Sequence, residues 1–210
     1  MTETPEGAGP SPARCFWVPD DDELYADYHD REWGMPVADD VRLFEKLTLE
    51  SFQSGLSWRT ILGKRENFRR AFAGFDVERV ARFDTTDVDR LLGDAGIVRH
   101  RGKIEAAVAN ARACCEIVGA EGSLAAFVWR HEPSPAGRPD ILDEATLRTL
   151  TTSPAAKALA GELKKRGWRF VGPTTAYAFM QAAGLVNDHE ERCTTRARVE
   201  AARADFARPG

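Results

Sequence analysis

The sequence predicts an all-helical domain built around one hydrophobic core. Apolar residues recur every three to four positions over long stretches of the chain, which is the helical period. No comparable stretch shows the strict alternation that is typical of a half-buried strand. Hydrophobic residues make up 43% of the 210 residues, so the chain can bury a core without disulfide support.

The first elements follow directly from composition and period. Residues 1–13 carry three prolines, two glycines and no aromatic side chain, and we expect them to be a disordered tail. Apolar residues within Val41–Leu49 and within Ile61–Phe72 then predict two successive helices.

A pair of helices joined by a short turn is predicted in the middle of the chain. Asp76 has the position of an N-cap, and Thr85 begins the next helix. We expect that helix to stop at Gly96, because glycine is favoured at helix C-caps. Its partner is predicted to run from about Arg101 to Ile117.

Proline and glycine residues mark the predicted loops and helix ends of the C-terminal half. The segment Glu132–Asp140 holds three prolines and one glycine and is predicted to be a loop. Ser153 and Pro154 provide an N-cap and an N1 proline for a helix that ends near Gly167. A last long helix is expected between Gly172 and Gly184.

The charge is distributed unevenly. The formal net charge of −4 argues at first against a polyanionic partner, but only the charge of the contacting face governs such binding. Residues 20–32 carry seven acids and one base, whereas residues 59–70 carry five bases and one acid. The acidic excess therefore lies mainly at one end of the chain.

The sequence also indicates a compartment. It has no apolar run of membrane-spanning length, and its start lacks the pattern of a signal peptide, so we expect a cytoplasmic protein that does not bind membranes. Four cysteines in such a protein are better interpreted as thiols or metal ligands than as disulfides. Cys114 and Cys115 are expected to fill the core.

Two cysteines and two histidines could form a metal site. His189 and Cys193 are four residues apart, which on a helix would put both on one face. Cys15 and His29 would complete a tetrahedral set suited to a structural zinc ion that joins the two ends of the chain. The alternative is that His189 is a buried, hydrogen-bonded histidine and Cys193 a core residue.

The turn between the two central helices suggests a phosphate contact. Glycines and the basic residues Arg99, Arg101 and Lys103 surround the start of the second helix, whose backbone N–H groups can bind a phosphate. The turn would suit a DNA backbone. An ordinary helix end followed by a solvated basic turn is the alternative.

Glu50 stands out among the acidic residues. It follows an apolar helix and precedes Trp58, in surroundings that could exclude water and perturb a carboxyl group. Trp17, Tyr28 and Trp33 could provide a slot for a flat base, although such aromatic residues usually belong to a core. For Glu50 the alternative is a solvated surface glutamate.

Several motifs, taken together and in this order, resemble the bacterial 3-methyladenine DNA glycosylase I family. The resemblance covers about residues 14–193. It is carried by Cys15–Val18, Tyr28–Asp30, Glu32–Gly34, Leu49–Glu50, Gly55–Trp58, Lys64–Asn67, Asp94–Ile97, Arg99–Ile104, Lys164–Gly167, Phe170–Gly172 and Gly184–His189.

The resemblance implies a helix-hairpin-helix glycosylase domain over residues 14–193, followed by a C-terminal tail over 194–210. It implies one structural zinc ion held by Cys15, His29, His189 and Cys193. The remaining implied roles are catalysis by Glu50; base binding by Tyr28, Trp58, Trp17 and Trp33; and DNA binding by Leu56, Gly96, Ile97, Arg99, Arg101, Gly102 and Lys103. Leu56 would wedge into the gap left in the duplex.

The implied activity is hydrolysis of the N-glycosidic bond of 3-methyladenine in double-stranded alkylated DNA, by a monomer, to start base excision repair. The lesion would be flipped into the aromatic pocket, stacked on Trp58 and met by the charge of Glu50. A non-catalytic DNA-binding or damage-sensing module and a zinc hydrolase are the rival interpretations.

Two features depart from the pattern of relatives. Ser51 and Phe52 replace the family's usual residues after Glu50, which affects the expected pocket shape. Related helix-hairpin-helix glycosylases carry a catalytic aspartate after the hairpin, but Glu105 and Glu116 are the only acids in residues 104–118. Glu50 would therefore supply the negative charge of the pocket.

Overall fold

The computed structural model describes residues 13–210, so the predicted tail over 1–13 lies almost entirely outside the described residues. Within that range the chain forms eleven α-helices and two 3-10 turns, without strands, as the sequence predicts. The helices are α1 Glu23–Arg31, α2 Asp40–Gln53, α3 Trp58–Ala71, α4 Val77–Ala81, α5 Thr85–Gly93, α6 Arg101–Glu121, α7 Leu124–Trp129, α8 Glu144–Thr149, α9 Pro154–Lys165, α10 Pro173–Ala182 and α11 Arg196–Asp205.

Short polar side chains set most helix starts. The Asp76 carboxylate accepts the backbone N–H of Arg79 and begins α4, which confirms the predicted N-cap. Asp84 and Asp87 form a reciprocal capping box at the start of α5. Ser153 caps α9 ahead of its N1 proline, as predicted.

The predicted end of α5 at Gly96 is wrong. The helix ends at Gly93, because Asp94 takes an extended conformation with φ −82° and ψ 104°. The Asp94 carboxylate then accepts the backbone N–H of Gly96 at 2.7 Å and shapes the turn that leads to α6. Gly96 is therefore a turn residue in close contact with Asn67 and not a helix cap.

α2 is the central helix of the core. It packs against α3, α6, α7 and α10, and its apolar face is fully buried. Phe52 on α2 packs against Phe68 of α3 and against Phe72, which follows α3, with ring centroids 4.8 and 5.9 Å apart. This packing fixes the last turns of α2, which carry Glu50.

The segment 194–210, predicted as a tail, contains helix α11. Val199 of α11 is fully buried, and Arg203 donates hydrogen bonds to the carbonyl of Gly184 and to the carboxylate of Glu132 at 2.8 Å. α11 therefore packs on the end of α10. None of the helices between residues 13 and 210 has the length and apolar character to cross a bilayer.

Gly184 is expected to be intolerant of a side chain. Its φ is +80°, and a Cβ would lie 2.5 Å from the backbone nitrogen of Pro36. Gly184→Ala should therefore cost about 3 kcal/mol or more, from strain and from displacement of packed backbone. Gly74 is a matched control, since its φ is +71° but its surroundings are open, so Gly74→Ala should cost only about 1 kcal/mol. Urea unfolding of both variants checks this, and equal losses would contradict it.

Candidate active site and metal cluster

An aromatic cavity of about 270 Å³ opens between α1, α2, α3, α8 and α10, next to the segment that follows α10. All five predicted pocket residues line it: Trp17, Tyr28, Trp33, Glu50 and Trp58. The structure thus brings together side chains that lie up to 41 positions apart in the sequence.

Glu50 is the buried acid of this cavity. Only 6% of the residue is exposed, and its carboxyl group has no hydrogen-bond partner among residues 13–210. Burial raises the pKa of Glu50 to about 8, against a smaller opposing effect of Lys46. The ionised form of such a buried acid is stabilised by any cation that enters the cavity.

Tyr28 and Trp58 form one wall next to Glu50. Their ring centroids are 5.3 Å apart at 46°, so they present two differently inclined faces to the cavity. The indole Nε1 of Trp58 is buried without a hydrogen-bond partner in the described part of the chain. Tyr28 is fully buried, and this burial, with the nearby Glu50, raises the pKa of its phenol well above the usual value.

Trp17 and Trp33 separate the cavity from a cluster of cysteine and histidine side chains. Their centroids are 4.9 Å apart, in an edge-to-face arrangement. Trp17 also packs 5.1 Å from the ring of His29, and Trp33 packs 4.7 Å from the ring of His189. A change in this cluster would therefore be transmitted to the pocket wall.

Other cavity-lining residues could not be found from the sequence. Asp188 accepts hydrogen bonds from the hydroxyl of Tyr177 at 2.7 Å and from the amide of Gln181 at 2.8 Å, and it pairs with Arg138. Its carboxylate is therefore neutralised inside the protein. The remaining lining residues outside the predicted set are Phe16, Tyr25, Gln53, Leu147, Leu150 and Ala178.

Three of the four predicted metal ligands meet behind the tryptophans. The side-chain ligand atoms of Cys15, His29 and Cys193 lie within 4.8 Å of one another, and all three residues are buried. The sulfur of Cys193 lies 3.5 Å from Nε2 of His29. Hydrogen bonding from Cys15 and from His29 lowers the pKa of Cys193, which favours a thiolate.

His189 lies beside the other three, although it and Cys193 are not on a helix. Residues 187–193 form an irregular loop and a turn after α10. The ring of His189 is 4.8 Å from that of His29, and its Nε2 is buried without a hydrogen-bond partner among the described residues. Burial lowers the pKa of His189 to about 4, so its imidazole is neutral.

Hydrogen bonds orient both imidazoles. Nδ1 of His29 lies 2.7 Å from the carboxylate of Asp30, which Arg14 also binds. Nδ1 of His189 lies 2.9 Å from the side-chain oxygen of Asn187. In each ring Nδ1 is therefore engaged by a side chain other than the cysteines, which leaves Nε2 for a metal ion, the arrangement that metal-ligating histidines usually have.

Side chains of α3 hold the turn over residues 94–100. Lys64 donates to the carbonyls of Ala95 and Gly96 at 3.1 and 3.3 Å, and Asn67 donates to Gly96 at 3.1 Å. Ile97 is buried and anchors the turn, whereas Arg99 is exposed. The turn is thus a rigid projection at the surface.

The basic residues of this turn have different environments. Arg101 is exposed and pairs with Asp89 at 2.9 Å, next to the half-buried Gly102. Lys103, predicted to contact phosphate, is only 7% exposed and donates to the carbonyls of Phe52 and Ser54. It therefore caps the C-terminus of α2, because that end of the helix leaves carbonyls unpaired next to α6.

Leu56 lies in the exposed loop between α2 and α3. It is 42% exposed, one of the few large apolar side chains in that state within the described residues. The loop joins Gln53 and Trp58, which both line the cavity, so Leu56 projects from the rim of the pocket.

Glu50→Gln is expected to stabilise the fold at high pH. Because the pKa of Glu50 is raised in the folded state, the stability it contributes is present at low pH and is lost as the pH rises from about 4.5 to about 8. Glutamine does not ionise, so the variant should gain about 2–4 kcal/mol over the wild type between pH 5 and pH 9. Thermal melts at both pH values test this, and a difference that stays constant with pH would contradict it.

Comparison with known proteins gives a consistent result. The sequence model of the methyladenine glycosylase family matches residues 17–197. The DNA-3-methyladenine glycosylase 1 of Escherichia coli strain K12 is 49% identical over 184 residues, which cover 86% of this chain and 95% of that protein.

Solved structures agree with these relatives. A crystal structure of 3-methyladenine DNA glycosylase I superposes with a TM-score of 0.78 at 48% identity, over 87% of this chain and 98% of that one. A structure concerned with 3-methyladenine recognition by the Staphylococcus aureus enzyme gives a TM-score of 0.78 at 39% identity, over 84% and 93% of the two chains.

Proposed function

This chain belongs to the methyladenine glycosylase family, and from that membership we propose that it starts repair of alkylated DNA by releasing 3-methyladenine. It is a DNA glycosylase, a hydrolase of N-glycosyl bonds. The observation that carries the detailed proposal is the buried carboxyl group of Glu50, which faces an aromatic cavity without a hydrogen-bond partner in the described chain.

The lesion is recognised by its charge. Methylation at N3 makes the adenine ring of the nucleotide cationic, so the ring gains cation–π attraction to Trp58 and ionic attraction to Glu50. Entry of the cation also favours ionisation of Glu50, whose pKa of about 8 in the free protein reflects burial. Unmodified adenine is neutral and makes neither interaction.

Hydrolysis then needs little proton transfer to the base. The C–N bond breaks with its electron pair passing to the ring, which leaves as neutral 3-methyladenine. Positive charge develops on the sugar, and the Glu50 carboxylate stabilises it electrostatically. Water adds to the sugar carbon and releases a proton to solvent, which leaves an abasic site.

The duplex is held by the rigid turn and by the pocket rim. We propose that the backbone of residues 96–102, with Arg99 and Arg101, contacts phosphates of double-stranded DNA. Leu56 fills the space that the flipped nucleotide leaves. Lys103 has no part in this contact, because its ammonium is engaged with the end of α2.

A structural zinc ion is proposed for the cysteine and histidine cluster. Two thiols, one with a lowered pKa, and two imidazoles whose Nδ1 atoms are engaged by Asp30 and Asn187 match the ligand set that zinc prefers. Cys15, His29, His189 and Cys193 would fill all four positions and leave none for water. Such an ion would stabilise the fold by joining the two ends of the chain, and it would take no part in the chemistry at Glu50.

The experiment that tests the activity separates a glycosylase from a DNA-binding module. Duplex DNA treated with a methylating agent is incubated with the protein, and the soluble fraction is chromatographed for free bases. We expect free 3-methyladenine and an equal number of abasic sites in the DNA. Binding without release of any base would support the damage-sensing module instead. The expected monomeric state and cytoplasmic location remain predictions.

A further inference from the structure

A buried lysine lies on the same helix as Glu50, one turn earlier. Lys46 is 4% exposed, and its Nζ lies 2.8 Å from the carboxylate of Glu32 and 5.9 Å from the ring centre of Tyr28. Burying an ammonium group is costly unless a counter-charge compensates it. A lysine in this position therefore calls for an explanation.

Glu32 alone does not explain the lysine. Its carboxylate also accepts from Arg65 at 2.6 Å and from Arg42 at 3.3 Å, and Arg42 in turn lies 3.9 Å from the carboxylate of Glu45. The pKa of Glu32 falls to about 2, because Lys46 and Arg65 outweigh the effect of its burial. Lys46 thus shares the charge of Glu32 with Arg65 and Arg42, immediately behind the cavity.

Glu50 is a further acid on which the charge of Lys46 acts. Residues i and i+4 of a helix share one face, so Lys46 and Glu50 project to the same side of α2. They do not form a direct ion pair, since no nitrogen–oxygen distance between them is within 4.0 Å, and Lys46 acts on Glu50 through its charge alone.

The other groups around Glu50 do not replace the lysine. No lysine or arginine lines the cavity within the described residues. The titratable groups that face Glu50 from the other elements are Tyr25 and Tyr28 of α1 and Asp188 after α10, and the last is paired with Arg138. Arg65 of α3 lies behind Glu32, and Arg148 of α8 stacks on Phe16 at the rim.

We propose that Lys46 is a positioning residue for the glycosylase reaction, one that favours the ionised form of Glu50, the form that attracts a cationic base. The inference rests on the proposed function of Glu50. Lys46 does not touch the base. It lies behind Glu50, and Glu32 compensates part of its charge, so its own repulsion of a cationic lesion is weak.

The test is the dependence of kcat/KM on pH for 3-methyladenine release from a duplex, which reports ionisations of the free enzyme. Activity of the wild type should fall as the pH drops through the pKa of Glu50, near 8. Lys46→Met and Lys46→Gln remove the charge, and the glutamine can still donate to Glu32. Both should move this fall upward by about one pH unit. At pH 7 they should be about tenfold slower than the wild type, and near pH 9.5 the rates should converge.

Controls separate this role from a structural one. Arg42→Met removes an exposed partner of the same Glu32 oxygen and should leave the dependence of kcat/KM on pH unchanged. Lys46→Arg keeps the charge and should restore the wild-type profile. An equal loss of activity at every pH, or an unchanged profile in both charge-removing variants, would overturn the proposal.

The same data separate failure of the proposal from failure of the proposed function. If the wild-type protein releases no 3-methyladenine, both the proposed function and the role of Lys46 are wrong. The dependence of kcat/KM on pH could instead disappear in Glu50→Gln but stay unchanged in the Lys46 variants. In that case only the role of Lys46 is wrong.

Discussion

Replacement of Glu50 by glutamine is expected to lower kcat/KM for 3-methyladenine release by about 100-fold to 1,000-fold. Glutamine has nearly the same size and keeps the packing of the last turns of α2. It cannot carry the negative charge that stabilises the cationic base and the developing charge on the sugar. The loss should appear in kcat as well as in kcat/KM, because the interaction strengthens as the bond breaks.

Glu66→Gln is the matched control for this substitution. Glu66 is 68% exposed and pairs with Arg69 on the surface of α3, so its loss should change the rate by less than about twofold. Single-turnover rates on a duplex with one lesion provide the measurement. Equal rates for the wild type and the Glu50 variant would show that the charge of Glu50 is not used.

Removal of one proposed zinc ligand is expected to have the second large effect. Cys193→Ala should abolish stoichiometric zinc and cost several kcal/mol of stability, because metal binding contributes directly to folding. The chain ends are otherwise joined by few contacts, among them the 2.9 Å bond from the amide of Thr194 to the carbonyl of Ala13. Activity should fall with stability, since Trp17 and Trp33 pack on the cluster.

Cys115→Ala is the corresponding control, because this cysteine is half-buried on α6, outside the cluster. It should retain one zinc ion per chain and melt close to the wild type. Elemental analysis and thermal melts measure both effects. Wild-type protein that contains no zinc after purification without chelator would contradict the proposed zinc site.

Local signals in the sequence predicted the helices well. The N-caps at Asp76 and Ser153 and the start of α6 at Arg101 are confirmed, because each depends on the residue itself and its near neighbours. Helices α1, α7 and α8 were not predicted, and α11 lies in the segment that was expected to be a tail. Of these, α7 and α8 have only six residues each. Six residues give too little periodicity to separate a short helix from a loop.

The site was predictable only in part. Trp58 and Glu50 lie within one segment, and the motif around them indicates a pocket. Asp188 and Gln181 reach the cavity through the packing of α10 on α2, which no local pattern encodes. Lys103 was expected at the surface because it lies in a basic surface turn. Its long side chain instead reaches inward to the end of α2.

The central claim is that this chain excises 3-methyladenine through the charge of Glu50. The most direct test is to incubate wild type and Glu50→Gln in parallel with the same methylated duplex and to separate the released bases in one chromatographic run. The account predicts a 3-methyladenine peak that grows with time for the wild type and is reduced at least about 100-fold for the variant. Absence of the peak in both samples, or peaks of equal size, would contradict it.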